Sequence, residues 1–146
     1  MAIVNNRTKQ FIEDKDTRVS VGIDFPFARV PDQRDGYFKT TKTTIESVKN
    51  NIKLLLQTQQ GERVFQSRLG VGLRQFIFEQ TNENTQVEIE NDIVHVFETW
   101  LPFVELKQIE IDIDSENQDR NKIKIDITFA LKKAPESLES VGIVLE

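Results

Sequence analysis

The alternation of apolar and polar residues in the second half of the chain most restricts its fold. From residue 123 to 131 every second position is apolar, and the positions between them are mostly charged or polar. Ile109, Ile111 and Ile113 alternate in the same way upstream, with acidic residues between them. A period of two is typical of strands with one buried face. The polar stretch 115–121 separates the two runs, which predicts a long antiparallel hairpin.

Two further features complete this pattern. Val104 and Leu106 also alternate, but in the opposite phase to the isoleucines, which predicts a β-bulge near Lys107 and Gln108. After Pro135 a short tail alternates again at Val141, Ile143 and Leu145.

The residues before the hairpin have a helical period instead. Thr43 and Glu46 form a capping-box pattern that predicts a helix start, and Gly61 is a suitable end. The predicted buried face is Ile45, Val48, Ile52 and Leu55, and the predicted polar face is Lys49, Asn50 and Lys53.

A second long helix is predicted to begin at a cap on Asn84 or Thr85 and to end at Pro102. Its apolar face is Ile89, Ile93, Val96, Phe97 and Trp100. Between the two helices lies the connector, residues 61–79, which is too long for a simple turn. Its last residues predict a short helix, with Leu73, Phe76 and Ile77 facing inward.

These elements predict an α+β fold with two main helices and a short helix packed on one face of a small antiparallel sheet. Residues 43–146 form this single domain, and residues 1–42 are an extended N-terminal arm. Such a sheet has long strands whose edges the helices cannot pair. The missing strands therefore come from the arm, from the C-terminal tail or from another chain.

Composition limits the possible functions. The chain has 146 residues and no cysteine, which excludes disulfides and thiolate metal sites. Residues 1–42 carry eight Lys/Arg against six Asp/Glu, whereas residues 43–146 carry eleven against eighteen. An acidic body argues against binding nucleic acid, and no apolar run is long enough to span a membrane. We expect no cofactor, no metal and production in the cytoplasm.

Catalytic chemistry has little support in the sequence. Glu62 and Glu79 bracket the connector and are the one carboxylate pair that a glycosidase reading would use. Local salt bridges and solvation explain both residues more simply. His95 is the single histidine and is expected to be structural.

The connector carries a recognisable combination of motifs. Gly61-Glu62-Arg63-Val64, Leu69-Gly70, Gly72-Leu73-Arg74 and Ile77-Phe78-Glu79 together resemble the signature of the baseplate wedge protein of contractile phage tails. That family includes the corresponding component of type VI secretion systems. The resemblance runs from about residue 36 to residue 131. One departure is that Leu101-Pro102-Phe103 stands where many members have Glu-Pro-Arg.

The resemblance implies a structural protein of the virion, located in the tail baseplate and assembled in the host cytoplasm. Its implied partners are other wedge proteins and the tail sheath, with tail tube or hub proteins as further candidates. Wedge contacts are expected at Glu62, Arg63, Arg74, Trp100, Leu101, Pro102 and Phe103. Sheath strands are expected to pair with the hairpin at Ile123, Ile125, Ile127, Phe129 and Leu131. Two alternatives remain open, a tail lysozyme and the secretion-system equivalent.

Overall fold

The computed structural model describes residues 16, 18–30, 36–77, 83–113 and 122–145. The chain divides into two compact units, Met1–Ile52 and Lys53–Glu146. The predicted boundary at residue 42 remains a prediction.

The first unit contains a small hairpin and most of a helix. Strand β1 (Gly22–Ile23) pairs antiparallel with β2 (Thr40–Thr41). Helix α1 (Thr44–Gln57) follows immediately. The Glu46 N–H donates to Thr43 Oγ1 at 3.3 Å, and the Lys42 N–H donates to Glu46 Oε2 at 3.1 Å. The predicted cap at Thr43 is confirmed, with the return bond made one residue earlier than in the usual capping box.

One residue of α1 differs from its prediction. Asn50 was assigned to the polar face, yet it is only 7% exposed. Its amide is satisfied by Asp24, whose carboxylate lies 3.0 Å away within the same unit. A buried polar side chain is tolerated where it has a hydrogen-bond partner, and that partner was not visible in the helical period.

The second unit contains two more helices. Helix α2 (Arg74–Ile77) is the predicted short helix, and its inward residues Leu73, Phe76 and Ile77 are buried. Helix α3 (Glu83–Trp100) begins before Asn84 and Thr85, so the predicted caps lie inside its first turn and that prediction is wrong. Its predicted apolar face is otherwise buried, with Trp100 partly accessible.

Three antiparallel strands follow: β3 (Val104–Ile113), β4 (Ile123–Leu131) and β5 (Ala134–Leu145). Their order in the sheet is β3-β4-β5, so β4 is the central strand and α3 packs against β3. The register between β3 and β4 shifts between Leu106 and Gln108, which confirms the predicted bulge. The predicted loop 115–121 lies outside the described residues.

The C-terminal tail supplies the extra strand that the sequence required. Strand β5 pairs with β4 from Ile123↔Leu145 to Phe129↔Glu139, and again at Leu131↔Ala134. The register therefore shifts at this point, where the four residues 135–138 lie opposite Ala130. Together, the helices and antiparallel sheets confirm the predicted α+β class.

Candidate interaction surfaces

The first part of the connector closes on itself through hydrogen bonds. The Gly61 N–H donates to the Ser67 carbonyl oxygen at 2.7 Å. The Gln59 N–H donates to Glu62 Oε2 at 3.1 Å, and the Glu62 N–H returns a bond to the Gln59 carbonyl oxygen at 3.2 Å. One oxygen of the Glu62 carboxylate is therefore engaged in shaping the loop that carries it.

A glycine holds the connector against the residues that follow α1. Gly70 has a φ of +116°, a left-handed value that favours glycine. A Cβ at this position would overlap the carbonyl oxygen of Thr58. Gln60 Nε2 also donates to the Gly70 carbonyl oxygen at 3.2 Å. The close approach of two backbone segments therefore requires glycine here.

The loop closed by these bonds presents an apolar tip, which we define as Val64 and Phe65. Their exposed fractions are 89% and 99%. Full exposure of two adjacent large apolar side chains is unfavourable in water. Exposed apolar groups on a braced loop are typical of a contact with another protein.

A groove of about 650 Å³ lies between the connector and the C-terminal half of α3. It brings Trp100 to the same cavity as Phe65 and Arg68, a juxtaposition that the sequence did not predict. The sequence showed only that an aromatic residue ends the second long helix and that a long loop follows the first. It did not show that the two meet. The remaining lining residues are Gln60, Gln66, Ser67, His95, Val96 and Thr99.

The other residues with predicted wedge contacts differ in accessibility. Arg63 and Arg74 are exposed, and so is Pro102. Phe103 is 45% exposed, which leaves its ring available to a partner. Leu101 is only 8% exposed and belongs to the core, so its side chain is a poor contact candidate. A smaller cavity, of about 400 Å³, includes Pro102 in its wall.

The five residues predicted to pair with sheath strands lie in the centre of the sheet. Strand β4 has β3 on one side and β5 on the other, so its main chain has no free edge. The side chains are also buried, which makes them core residues: Ile123, Ile125, Ile127, Phe129 and Leu131. A strand from another chain can add only beyond β3 or β5, and the predicted pairing has to move to those edges.

The first unit has an aromatic cluster on its hairpin. Phe27 lies 5.9 Å from Phe25 and 6.0 Å from Phe38 between ring centroids, and Phe38 lies 5.1 Å from Tyr37. The guanidinium of Arg29 sits 5.2 Å from the Tyr37 ring centroid. Phe25, which precedes a cis proline, is half-buried, whereas Phe27 is exposed.

Asp24 connects this hairpin to α1. Its carboxylate contacts Lys39 Nζ at 2.7 Å, Asn50 Nδ2 at 3.0 Å and the Phe25 N–H at 3.0 Å. The hydrogen bond from Lys39, followed by that from Asn50, lowers the pKa of Asp24, and the same ion pair raises the pKa of Lys39.

Catalytic and metal sites gain no support from the described residues. Glu79 lies outside them, so the separation of Glu62 and Glu79 is not defined. In the part of the chain that the structure describes, no group of three or more His, Cys, Asp or Glu could hold a metal ion. No helix among these residues is long and apolar enough to cross a membrane.

Several solved structures have a similar fold. A putative tail lysozyme from Geobacter sulfurreducens is 22% identical, with a TM-score of 0.62, over 73% of this chain and 93% of that chain. At this identity the likeness concerns the fold alone. A chain of the anti-feeding prophage baseplate is 28% identical, with a TM-score of 0.61, over 75% of this chain and 82% of that chain. No curated protein matches significantly.

The family comparison covers more than half of the chain. Residues 42–136 match the family described as baseplate wedge protein gp25. The matched region begins one residue before the α1 cap and ends within β5. It contains the connector, α3 and the β3–β4 hairpin, which are the elements that carried the sequence resemblance. The chain therefore belongs to the baseplate wedge protein gp25 family.

Proposed function

We propose that this protein is a structural component of a contractile-tail baseplate that offers a sheet edge on which tail-sheath assembly begins. The single observation that carries the proposal is a three-stranded antiparallel sheet, with long outer strands, in a member of a baseplate family. Main-chain hydrogen bonds from an added strand would supply affinity, and alternate side chains would fix the register.

The contacts with other wedge proteins are proposed to be made by exposed side chains and not by a strand edge. The apolar tip, the groove beside Trp100 and the exposed ring of Phe103 are side-chain surfaces rather than strand edges. Aromatic anchors in pockets are common hot spots of protein interfaces. Two surfaces of different chemistry would let one chain hold the baseplate and the first sheath subunits together.

The experiment that tests this function is genetic complementation of a contractile tail that lacks the protein. Wild-type protein should restore sheathed tails, counted by negative-stain electron microscopy, and the uncomplemented mutant should show no sheathed tails. Sheathed tails of normal number and length in the mutant would contradict the proposal.

The biological setting is proposed to be a phage virion, with assembly in the host cytoplasm. The similar chain from the anti-feeding prophage baseplate is in keeping with this setting. A type VI secretion system is the second candidate, favoured by the same family resemblance. Neighbouring genes discriminate the two, since tail tube and sheath genes with capsid genes indicate a phage, whereas a secretion ATPase indicates the alternative.

A further inference from the structure

The hairpin of the first unit holds three residues outside its ladder. The Asp24 N–H donates to the Lys39 carbonyl oxygen at 2.9 Å, and the Lys39 N–H donates to the Ala28 carbonyl oxygen at 2.9 Å. Residues 25–27 therefore lie opposite the single residue Lys39 and form a local bulge. Phe27, the last residue of this bulge, is 68% exposed. The bulge thus directs a large apolar side chain into solvent.

Two aromatic residues of the opposite strand extend this exposed apolar surface. Tyr37 is 57% exposed and Phe38 is 48% exposed, and the Phe38 ring contacts that of Phe27. The guanidinium of Arg29 lies over the Tyr37 ring. We define these four residues as the aromatic patch. An exposed apolar patch of this kind marks a contact with another molecule, and its arginine favours a partner that also carries carboxylates.

The hairpin around the aromatic patch is basic. Residues 18–30 and 36–42 carry four Lys/Arg against one Asp/Glu. That one acid, Asp24, is already bound to Lys39 within the hairpin. Over the whole of residues 1–42 the basic excess persists, at eight against six. The partner of the aromatic patch should therefore be acidic as well as partly apolar.

Helix α3 carries a surface with these two properties. It has five Asp/Glu and no Lys or Arg. Val87, Glu88, Asn91 and Asp92 are exposed, and they lie side by side because residues three and four apart are neighbours on a helix. We define these four residues as the acidic stripe. Val87 offers an exposed apolar side chain, and Glu88 and Asp92 offer carboxylates beside it.

Both surfaces belong to the same chain, so a second copy supplies the acidic partner that the aromatic patch requires. A contact between two different surfaces of identical chains is heterologous, or head to tail. The whole chain has a net charge of -5, so two copies repel one another in most orientations. The orientation that joins the basic hairpin to the acidic stripe replaces this repulsion with attraction, which makes the contact specific.

We propose that the aromatic patch of one copy docks on the acidic stripe of a second copy, so that this protein associates head to tail. The Arg29 guanidinium pairs with the carboxylates of Glu88 and Asp92, and the exposed rings cover Val87. This contact joins the side chains of a hairpin to those of a helix. It adds a contact between copies and does not depend on the sheath-initiating role.

Sedimentation velocity of the purified full chain tests whether copies associate. In low salt, the weight-average sedimentation coefficient should rise between about 5 and 500 µM, as expected for a small interface with a dissociation constant of about 10–100 µM. Raising the ionic strength to about 0.5 M should weaken the association roughly fivefold, because exposed charges are screened. A chain that stays monomeric over this concentration range in low salt would overturn the proposal.

Charge reversal tests which surfaces meet. Arg29→Glu and Glu88→Arg should each weaken the association by about tenfold, since each places like charges together. Lys133→Glu and Glu90→Arg are the matched controls, because they change the net charge by the same amounts at exposed positions outside both surfaces. Glu90 is two residues from Glu88, which puts it on another side of α3. Both controls should associate like wild type, and equal losses in controls and test variants would remove the two surfaces from the contact.

A mixture of the two test variants shows whether the contact joins different chains. An equimolar mixture of Arg29→Glu and Glu88→Arg chains should regain association, because the acid introduced at position 29 of one chain meets the arginine introduced at position 88 of the other. Such a rescue also shows that neither variant has lost its fold. A mixture that stays monomeric while both controls associate would overturn the pairing.

Removal of the apolar part of the patch distinguishes a second copy from another occupant. Phe27→Ser with Tyr37→Ser should weaken self-association by about tenfold, as loss of aromatic anchors does at interfaces. Unchanged self-association in this variant, together with fewer sheathed tails in the complementation assay, would overturn the proposal and assign the aromatic patch to a different baseplate protein.

Discussion

Asn50 Nδ2 donates a hydrogen bond of 3.0 Å to Asp24 Oδ1, which joins the N-terminal hairpin to helix α1 across 26 positions of sequence. Asp24 also binds Lys39 on the other strand of the same hairpin. One carboxylate therefore has partners on two elements of the first unit, and its charge state should control how firmly they associate.

The stability of this unit should fall in acid because Asp24 has a lowered pKa. The ionised Asp24 carboxylate stabilises the folded state fully above the ordinary aspartate pKa, about 3.9. This stabilisation is lost as the pH falls through the lower pKa that Asp24 has in the folded state. The Phe25 amide donates to Asp24, so its protection against hydrogen exchange, corrected for the intrinsic pH dependence of exchange, should decrease below about pH 4.

Asp24→Asn should remove most of that pH dependence and cost about 1–2 kcal/mol at neutral pH, because bonds to a charged acceptor are lost. Asp16→Asn, in an exposed turn, is the control and should leave the exchange of Phe25 unchanged. Equal acid sensitivity in Asp24→Asn and wild type would contradict this role.

Two of the three glycines of the connector, Gly61 and Gly70, should respond differently to alanine. Gly70→Ala should destabilise the protein by about 2–4 kcal/mol, since it adds a backbone overlap to a left-handed φ. Gly61 also has a positive φ, +87°, but a Cβ there meets nothing within 4 Å. Gly61→Ala should therefore cost only about 1–2 kcal/mol. Urea denaturation measures both, and equal losses would show that the close approach to Thr58 is unimportant.

The apolar tip should matter for binding and not for folding. Val64→Ser with Phe65→Ser should leave the free energy of unfolding within about 0.5 kcal/mol, because both side chains are exposed. Affinity for the baseplate wedge partners should fall by about 2 kcal/mol, roughly thirtyfold. Pull-down with purified wedge proteins measures the loss.

The matched control for the tip is Val87→Ser, an exposed apolar residue on α3 that lies outside the groove lining. It should bind like wild type. Undiminished wedge binding by the tip variant would remove the tip from the proposed contact surface.

Cell-wall hydrolysis should be absent if Glu62 shapes its own loop. Purified wild-type protein should not clear a peptidoglycan suspension, and Glu62→Gln should give the same turbidity trace. Glu62→Gln should instead weaken the loop by about 1 kcal/mol through its bond with the Gln59 N–H. Clearing by wild type that disappears in Glu62→Gln would restore the lysozyme alternative.

Local patterns in the sequence predicted the elements well. The period of two predicted β4, the change of phase predicted the bulge at Lys107, and the cap at Thr43 predicted the start of α1. These features depend on a few neighbouring residues, whose buried and exposed faces leave a direct trace in the sequence.

Long-range relationships were not predictable in the same way. The strand order places β4 in the centre of the sheet, although its alternation of apolar and polar residues would suit an edge strand equally well. The helical period places Asn50 on the polar face of α1. Its burial is explained by the hydrogen bond to Asp24, which is 26 positions away in the sequence. The groove between Trp100 and Phe65 likewise depends on how a loop folds back, which no local period encodes.

The bulge at Lys107 makes the length of β3 more important than the identity of the bulged residue. Val104 and Leu106 before it, and the isoleucines after it, share the core face only because one additional residue separates them. Substitution of the exposed Lys107 should be well tolerated, whereas its deletion would turn one apolar segment toward solvent. At this position natural variation should therefore be free in residue type and fixed in residue number.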